Sequence, residues 1–466
     1  MDRALLEESL GLLSPRFGSP RGGVPPVLPD GTPGYAELWR AALLPNCPRL
    51  LPAPHSAAWG SRARWVTPRG EPDLGALHRD FGDAVVPVAD CAEREYNSNP
   101  KKQMPMREFL SYWQETMSQD HSSSPRPCLY LKDWHMCKEF PDYDAYSTPE
   151  CFSSDWLNEY WDAVHSDDYR FVYMGPRGSW TPFHADVFRS YSWSANVCGR
   201  KLWLLYPPGQ EEALRDHLGN LPYDVTAPDP WPQDAPAKKP APWDTAGGAR
   251  SASGAAQLRQ RGQKPMEVIQ EAGEIIFIPS GWHHQVHNLE DTISINHNWL
   301  NGCNIDLVWS FLQSELRAVQ KEIGHCRSGM SNWAEQCQCI MKACTGINYV
   351  EFYSFMKLIA ERRMEFLHER MDIPGPRCAA KSSSTGPDHS RVGEAGEHGE
   401  LTRLGNWHAA FDLMRVQEVL VALQGDSDFG LLPVDSLPKR PEQLQMDIEH
   451  VIGNMGRMPT AEEGAH

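Results

Sequence analysis

A His-x-Asp tripeptide is the shortest stretch of this sequence that could hold a metal ion. His184 and Asp186 are separated by a single alanine. In a β-strand, side chains two residues apart point to the same side, so an imidazole and a carboxylate could bind one ion there. Such a tripeptide often arises by chance. A third ligand from elsewhere in the chain is therefore needed to make a site.

The third ligand is expected within or just after Gly-Trp-His-His at 281–284, which follows the apolar stretch GEIIFIPSG. That stretch is typical of a buried strand, and its glycine permits a tight turn. His284 is preferred by its position after the turn, while His283 and His287 are alternatives. Two histidines and one carboxylate form the facial triad that leaves positions on Fe(II) open for substrates and O2. Zinc is a rival ion, because it accepts the same ligand types.

A lysine in an apolar strand is the second chemical signal. Lys201 begins KLWLLYPP, where alternation puts its side chain on the face of Trp203 and Leu205. An ammonium inside a barrel is costly unless it meets an anion, and the distal carboxylate of 2-oxoglutarate would be such an anion. A strand-end lysine that reaches solvent is the equally weighted alternative.

Further polar side chains could line the same site. A hydroxyl three residues before His184 and another in CLYLKDW could donate to the same carboxylate. Polar groups also share one face of each of two later predicted strands. The residues concerned are Thr181, Tyr130, Ser194, Asn196, Asn296 and Asn298. Each of them alone is more simply explained as an ordinary strand residue.

Short strands are predicted around these residues. Seven segments are rich in β-branched, aromatic or alternating residues and are bounded by Gly, Pro or Asp, namely 128–131, 171–174, 183–187, 193–197, 201–206, 274–278 and 292–299. A helix is predicted at 155–165, starting near Ser154, which could cap it. After residue 303 the apolar residues recur at helical spacing.

Composition divides the chain into six parts. We predict a flexible N-terminal tail at 1–34, a support region at 35–127 and a β-rich domain at 128–302 that carries a polar surface insert at 227–265. A helical region at 303–375, a flexible linker at 376–402 and a C-terminal helical segment with a tail at 403–466 complete the outline.

Charge and hydropathy argue against several classes of protein. The formal net charge of −17 disfavours direct binding to nucleic acid. No apolar run is long enough to span a membrane, and acidic residues stand where a signal peptide needs apolar ones. We therefore expect a cytoplasmic protein whose 12 cysteines are reduced. A structural zinc is disfavoured, because the spacing of the one group of candidate ligands differs from that of common zinc fingers: His325, Cys326, Cys337, Cys339 and Cys344.

Four segments together resemble the Jumonji C oxygenases: HAD at 184–186, WSANVCGRKLWLLYPPGQEEALRD, GEIIFIPSGWHHQVHN and TISINHNW. The resemblance implies an α+β protein built on a double-stranded β-helix, the cupin or Jumonji C barrel, with flanking N-terminal α/β elements and a helical C-terminal region. It implies Fe(II), 2-oxoglutarate as co-substrate, and O2.

The same resemblance assigns roles to residues. It implies His184, Asp186 and His284 as metal ligands, and it implies a set of side chains that bind the 2-oxoglutarate carboxylate: Lys201, Thr181 and Tyr130. Many Jumonji hydroxylases carry Asn where this chain has Ser194, so the role of this position is in question. Asn196 could compensate from the same face.

A narrower resemblance concerns the reaction. The segments EYNSNPK, CLYLKDWH, FSSDWLNEYWDA and LPYDVT are similar to one hydroxylase subgroup of the family. This likeness implies hydroxylation at C4 of a lysine in the eukaryotic translation termination release factor. The alternatives are demethylation of methyl-lysine by the same class of oxygenase and a non-catalytic barrel that serves as a scaffold. The C-terminal helices could form a homodimer or pack against the chain's own barrel.

Overall fold

The computed structural model describes residues 1–13, 34–118, 127–164, 167–227, 264–371, 402–433 and 437–455. The predicted surface insert and the predicted linker lie outside these stretches except for their end residues. Most of the predicted N-terminal tail also lies outside them.

Twelve strands occur in the described residues, and they pair antiparallel throughout. In chain order they are β1 (Arg49–Leu51), β2 (Val85–Asp90), β3 (Lys101–Pro105), β4 (Leu129–Trp134), β5 (Arg170–Gly175), β6 (Trp180–His184), β7 (Tyr191–Cys198), β8 (Lys201–Tyr206), β9 (Met266–Gln270), β10 (Ile275–Ile278), β11 (His283–Asn288) and β12 (Thr292–Trp299). Five of them lie outside the seven predicted segments, namely β1, β2, β3, β9 and β11. In β11 the sequence HHQVHN is too polar to stand out as a strand.

The strands form two sheets. The larger has the order β1-β10-β7-β12-β5-β4-β2-β3, and the smaller has the order β6-β11-β8-β9. From β5 onward the chain passes back and forth between the two sheets, which is the arrangement of a jelly roll. The predicted α+β class with a cupin-like double-stranded β-helix is therefore confirmed.

The larger sheet has an apolar outer face and a polar inner face. On β7, the residues Trp193, Ala195 and Val197 belong to the main hydrophobic core, which also includes N-terminal helices. The alternating residues point the other way, towards the smaller sheet, and are polar: Ser192, Ser194 and Asn196. A barrel whose interior is lined by polar groups can hold a polar ligand.

The N-terminal part of the chain is more closely joined to the barrel than predicted. Strand β1 pairs with β10, and β2 pairs with β4, so the support region extends the larger sheet. The prediction of a flexible tail at 1–34 is wrong for residues 3–13, which form helix α1 (Arg3–Leu13) with Leu5, Leu6 and Leu13 buried. Its leucines stabilise it by burial against other parts of the chain.

Helices flank the barrel. They are α2 (Tyr35–Leu38), α3 (Gly60–Arg64), α4 (Leu74–Phe81), α5 (Met106–Ser118), α6 (Met136–Glu139), α7 (Trp156–Val164), α8 (Ile305–Glu322), α9 (Trp333–Thr345), α10 (Tyr349–Met371), α11 (Asn406–Gln424) and α12 (Pro441–Met455). The last five, with α7, enclose a second apolar core. Packing within the chain thus accounts for their apolar faces, and homodimerisation stays a prediction.

The start of α7 differs slightly from its prediction. The backbone N–H of Asn158 donates to Oδ1 of Asp155 over 2.9 Å, so Asp155 caps the helix rather than Ser154. Among the described helices, none has the combination of length and apolar character needed to cross a bilayer. A cytoplasmic location stays a prediction.

Candidate metal and co-substrate site

Two histidines meet on neighbouring strands of the smaller sheet. His184 ends β6 and lies directly opposite His284, the second residue of β11. Their ring centroids are 4.3 Å apart. One potential ligand atom from each of these histidines and one from Asp186 all lie within 4.8 Å of one another. The structure therefore brings together the three side chains that the sequence nominated as metal ligands.

Asp186 reaches this site from a turn and not from a strand. β6 was predicted to run through residue 187, but it ends at His184, and a 3₁₀ turn follows at Val187–Arg189. The prediction that both ligands share one strand face is therefore wrong. Phe188 and Arg189 adopt positive φ angles of 54° and 57°. Residues of these types rarely do so, and the sequence therefore did not predict this turn.

Backbone carbonyl groups set the orientation of both imidazoles. Nδ1 of His184 lies 2.8 Å from the Pro182 carbonyl oxygen, and Nδ1 of His284 lies 3.1 Å from that of Trp282. Each Nδ1–H can donate to its carbonyl, which leaves Nε2 with a lone pair for a metal. Burial, and then the neighbouring His284, lower the pKa of His184 to about 4, which favours the neutral, ligating form.

These three residues fit a divalent transition metal. Two neutral imidazoles and one carboxylate supply only three ligands and leave coordination positions for other molecules. A serine hydroxyl holds the carboxylate in place, because Oγ of Ser192 donates to Oδ2 of Asp186 over 2.7 Å. The donor set alone suits both iron and zinc.

The alternative histidines face the other side of the sheet. His283 contacts Arg189 and lies near Glu211, with its Nδ1 atom 3.8 Å from the Glu211 carboxylate. The ring of His287 stacks on Trp180 at a centroid distance of 5.7 Å. Alternation along β11 separates both from His284. The geometry thus favours His284 over either alternative.

Lys201 points into the barrel, as its alternation predicts. Only 2% of the residue is exposed, and its ammonium donates to Oγ of Ser294 over 2.7 Å. Burial, with a smaller contribution from Lys132, lowers the pKa of Lys201 to about 7. The described residues give this ammonium no carboxylate partner, so a bound carboxylate would restore the charged form. The alternative of a solvent-reaching lysine does not agree with this burial.

Thr181 on β6 and Tyr130 on β4 come from the two different sheets of the barrel. Thr181 pairs with Val286, and an irregularity between this pair and the His184–His284 pair lets residues three apart on β6 face one side. Tyr130 is 2% exposed, and burial raises the pKa of its phenol, with hydrogen bonding to Asn288 opposing the shift. Their part in binding the carboxylate near Lys201 stays a prediction.

The polar residues of β7 and β12 occupy successive levels of the barrel. Ser194 donates to Oδ1 of Asn296 over 2.9 Å, and the two residues are paired across the strands. Asn196 lies opposite Ser294, the residue that Lys201 contacts, and its amide donates to the Gly199 carbonyl oxygen over 2.7 Å. Asn196 therefore belongs to the Lys201 end of the site. This position argues against the idea that it replaces an asparagine at 194.

Asn298, the last of the predicted polar residues, has a hydrogen-bond partner within the chain. Asn298 donates to Oγ of Ser190 over 3.1 Å, at the level of the strand where Ser192 contacts Asp186. The hydrogen bond from Ser192 to Asp186 and that from Asn298 to Ser190 therefore lie side by side at this end of β7.

Several residues of this interior were not predicted from the sequence. They are Lys132, Asp133, Tyr173, Ser192, Asn288 and Ser294. Lys132 could have been found, since it stands two residues after Tyr130 and shares its strand face. Asp133 could not, because a bulge between Leu131 and Trp134 re-aims it, with φ at 59°.

Two other groups of residues have side chains of the types that bind metals. The suggested cysteine cluster does not bring three ligand atoms together in the described part of the chain; Cys337 is buried in α9, while Cys339 and Cys344 are exposed. His135, Asp167 and Asp168 do form such a group, but Lys138 lies 3.8 Å from Asp167 and supplies a cation there. Neither group competes with the site in the barrel.

Comparison with known proteins identifies the class of site. A model of the cupin-like domain family matches residues 71–304. The chain is 52% identical over 418 residues to the 2-oxoglutarate and iron-dependent oxygenase JMJD4 of Gallus gallus, which covers 90% of each protein. It is 48% identical over 446 residues to the protein of the same name from Homo sapiens, with 95% of each covered. The Arabidopsis thaliana arginine-specific demethylase JMJ20 is 42% identical over 354 residues, 72% of this chain and 70% of that protein.

These relatives resolve the choice between iron and zinc and make the chain an enzyme that uses Fe(II), 2-oxoglutarate and O2. The scaffold alternative is thereby set aside. The chain belongs to the Jumonji C family of 2-oxoglutarate and iron-dependent oxygenases, built on a cupin-like barrel.

Proposed function

We propose that this oxygenase hydroxylates C4 of a lysine in the eukaryotic translation termination release factor. The metal centre, when loaded, couples oxidation of a C–H bond to decarboxylation: the substrate, 2-oxoglutarate and O2 give the hydroxylated product, succinate and CO2. The choice of release factor rests on the likeness of the four sequence segments named above. The choice of lysine also has support inside the barrel.

Asp133 is the observation that supports a lysine substrate. Its carboxylate accepts a hydrogen bond from the Tyr173 hydroxyl and lies 2.6 Å from the ammonium of Lys101. Although burial opposes it, Lys101 and then Lys132 hold the pKa of Asp133 below its usual value. A carboxylate that already binds one lysine ammonium has the chemistry to bind that of a substrate.

The position of this carboxylate suits hydroxylation at C4. Burial, the Asp133 carboxylate and, more weakly, Asp186 raise the pKa of Tyr173, so Tyr173 lies within the electrostatic reach of both aspartates. In an extended lysine side chain C4 is only about 4 Å from the ammonium nitrogen. An acceptor for that nitrogen must therefore lie close to the metal ligands. We infer that Asp133, which accepts a hydrogen bond from Tyr173, is this acceptor.

Lys101, the lysine paired with Asp133, is accessible to solvent. Lys101 begins β3 at the edge of the larger sheet, and 45% of its side chain is exposed. An exposed ion pair of this kind contributes little stability, so a substrate ammonium could displace it at small cost.

A second candidate reaction is demethylation, favoured by the name of the plant relative. The same centre would hydroxylate an N-methyl group, and the product would lose formaldehyde. This reaction needs a methylated side chain, whereas C4 hydroxylation needs an unmodified lysine with its ammonium free to pair.

The test uses the full chain loaded with Fe(II), 2-oxoglutarate and O2, together with intact release factor. We expect one lysine-containing peptide to gain the mass of a single oxygen atom, with fragmentation placing it at C4. His184→Ala should abolish this gain. Release of formaldehyde from a methylated peptide, with no oxygen gain on the unmodified one, would replace the proposal by demethylation.

A further inference from the structure

A second lysine is buried inside the barrel, and the described residues offer its ammonium no polar partner. Lys132 lies on β4 and is 9% exposed. Among the residues that the structure describes, its ammonium has neither an ion pair nor a hydrogen bond. The nearest recorded feature is the ring of Tyr130, whose centroid is 5.8 Å from Nζ. A buried charge without a partner is costly, so its presence calls for a ligand.

The adjacent carboxylate does not fill this role. Asp133 directs its oxygen atoms to Lys101 and to the Tyr173 hydroxyl, and it makes no ion pair with Lys132 within 4.0 Å. Burial lowers the pKa of Lys132, which reflects the missing partner. Neither of the two inward-pointing lysines, Lys132 and Lys201, has a carboxylate within ion-pair distance among the described residues.

Lys132 faces the barrel interior from the same sheet as Ser294, the residue that the Lys201 ammonium contacts. It shares the inner face of β4 with Tyr130, whereas Leu131 between them packs in the apolar core. The charge of Lys132 also acts on the ammonium of Lys201. A co-substrate held by Lys201 is therefore within the electrostatic reach of Lys132.

Neither Ser194 nor Asn196 of β7 is placed to donate a hydrogen bond to the keto acid end of the co-substrate. Ser194 is short, and its hydroxyl already donates to Asn296. Asn196 lies at the Lys201 end and donates to a turn. Lys132 on β4, in the same sheet, is a cation that can supply the contact that these residues do not make.

We propose that Lys132 binds the carboxylate next to the keto group of 2-oxoglutarate, while Lys201 binds the distal carboxylate. The site would then provide one cation for each end of a dianion. The proposal rests on the co-substrate of the family and is independent of which protein, or which side chain, is oxidised. Lys132 is a binding residue for the co-substrate in this scheme.

Calorimetry on the Mn(II)-loaded full chain tests the proposal without turnover or protein substrate. The probes are 2-oxoglutarate and 2-oxopentanoate, which keeps the keto acid but lacks the distal carboxylate. Lys132→Met should weaken binding of both by on the order of 10- to 100-fold, the effect of losing a charge-assisted hydrogen bond. Lys201→Met should weaken 2-oxoglutarate alone. Lys102→Met, on the exposed side of β3, is the matched control and should change neither.

Two outcomes would overturn the assignment. If Lys132→Met weakened 2-oxoglutarate but not 2-oxopentanoate, Lys132 would serve the distal carboxylate instead. If it changed neither, the lysine would have no role in co-substrate binding. Failure of the release factor assay would leave these measurements intact, so the two proposals can fail separately.

Stability measurements distinguish a loss of co-substrate binding from a loss of folding in the Lys132 variants. Because an unpaired buried ammonium is replaced by an apolar side chain of similar length, Lys132→Met should raise the melting temperature of the metal-free chain by roughly 2 °C or more. Lys132→Arg should keep the co-substrate within a few-fold of its normal affinity. A melting temperature that falls in Lys132→Met, together with lost binding in Lys132→Arg, would indicate a structural role and contradict the proposal.

Discussion

Oγ of Ser192 donates a 2.7 Å hydrogen bond to Oδ2 of Asp186, and this contact ties the larger sheet to the candidate metal ligand in the turn after β6. Asp186 has no strand neighbour to hold it, because β6 ends two residues earlier. The serine therefore sets the orientation of the Asp186 carboxylate, as the backbone carbonyl groups set that of the two imidazoles.

Ser192→Ala should weaken metal binding without removing a ligand. We expect a loss of affinity on the order of 10-fold, the usual scale for residues that orient metal ligands. Titration of the metal-free chain with Mn(II) measures it. Ser111→Ala, on the exposed surface of α5, is the control. An unchanged affinity in Ser192→Ala would mean that the turn alone holds the carboxylate.

The effect of removing one imidazole should distinguish His284, as a metal ligand, from the neighbouring His287. His284→Ala is expected to lower metal affinity and succinate formation by on the order of 100-fold or more, since a ligand loss exceeds the effect of an orienting residue. His287→Ala should leave both nearly unchanged, because that ring stacks on Trp180 on the other face of the sheet. Equal losses in the two variants would contradict the assignment of His284.

Asp133 and Lys101 should have opposite effects on a lysine substrate. Asp133→Asn is expected to raise KM for the lysine-containing substrate by roughly 10-fold, the scale of a lost charge-assisted hydrogen bond. Lys101→Met should lower KM, because the acceptor is then free. Succinate formation without protein substrate serves as the control and should be similar in both. A higher KM in Lys101→Met would show that Lys101 helps to build the acceptor.

The cap of α7 should make stability depend on pH. Burial raises the pKa of Asp155 to about 7 from its ordinary value of 3.8, with Arg170 opposing the shift. Between these values the folded chain holds a proton that the unfolded chain has lost. This contribution to stability is therefore complete below about pH 4 and is lost as pH rises towards 7.

Asp155→Asn should remove this dependence while keeping an oxygen atom at the cap. We expect the melting temperature of the variant, relative to the unmodified chain, to rise steadily from pH 5 to pH 7, because only the unmodified chain must bury a charge. Thermal unfolding monitored by circular dichroism measures the difference. A difference that stayed constant over this range would show that Asp155 is ionised in the fold throughout.

The sequence by itself determined the class of the site. His184, Asp186, His284 and Lys201 were nominated because each stands in or beside a short segment with a recognisable pattern, either strand alternation or a glycine turn after an apolar run. Strand positions followed from the same patterns to within a few residues for seven of the strands. Such patterns are local, and residues close in sequence largely determine them.

Only the tertiary structure decided how the site is completed. Pairing between distant segments decides the bulge that re-aims Asp133 and the joining of β1, β2 and β3 to the larger sheet. The turn that carries Asp186 after β6, with its positive φ angles at Phe188 and Arg189, was likewise not predicted. Alternation with Tyr130 is enough to place Lys132 on the inner face of β4, but its residue type would be expected on the surface. Its burial follows from the closing of the two sheets around that face, which no single stretch of the chain encodes.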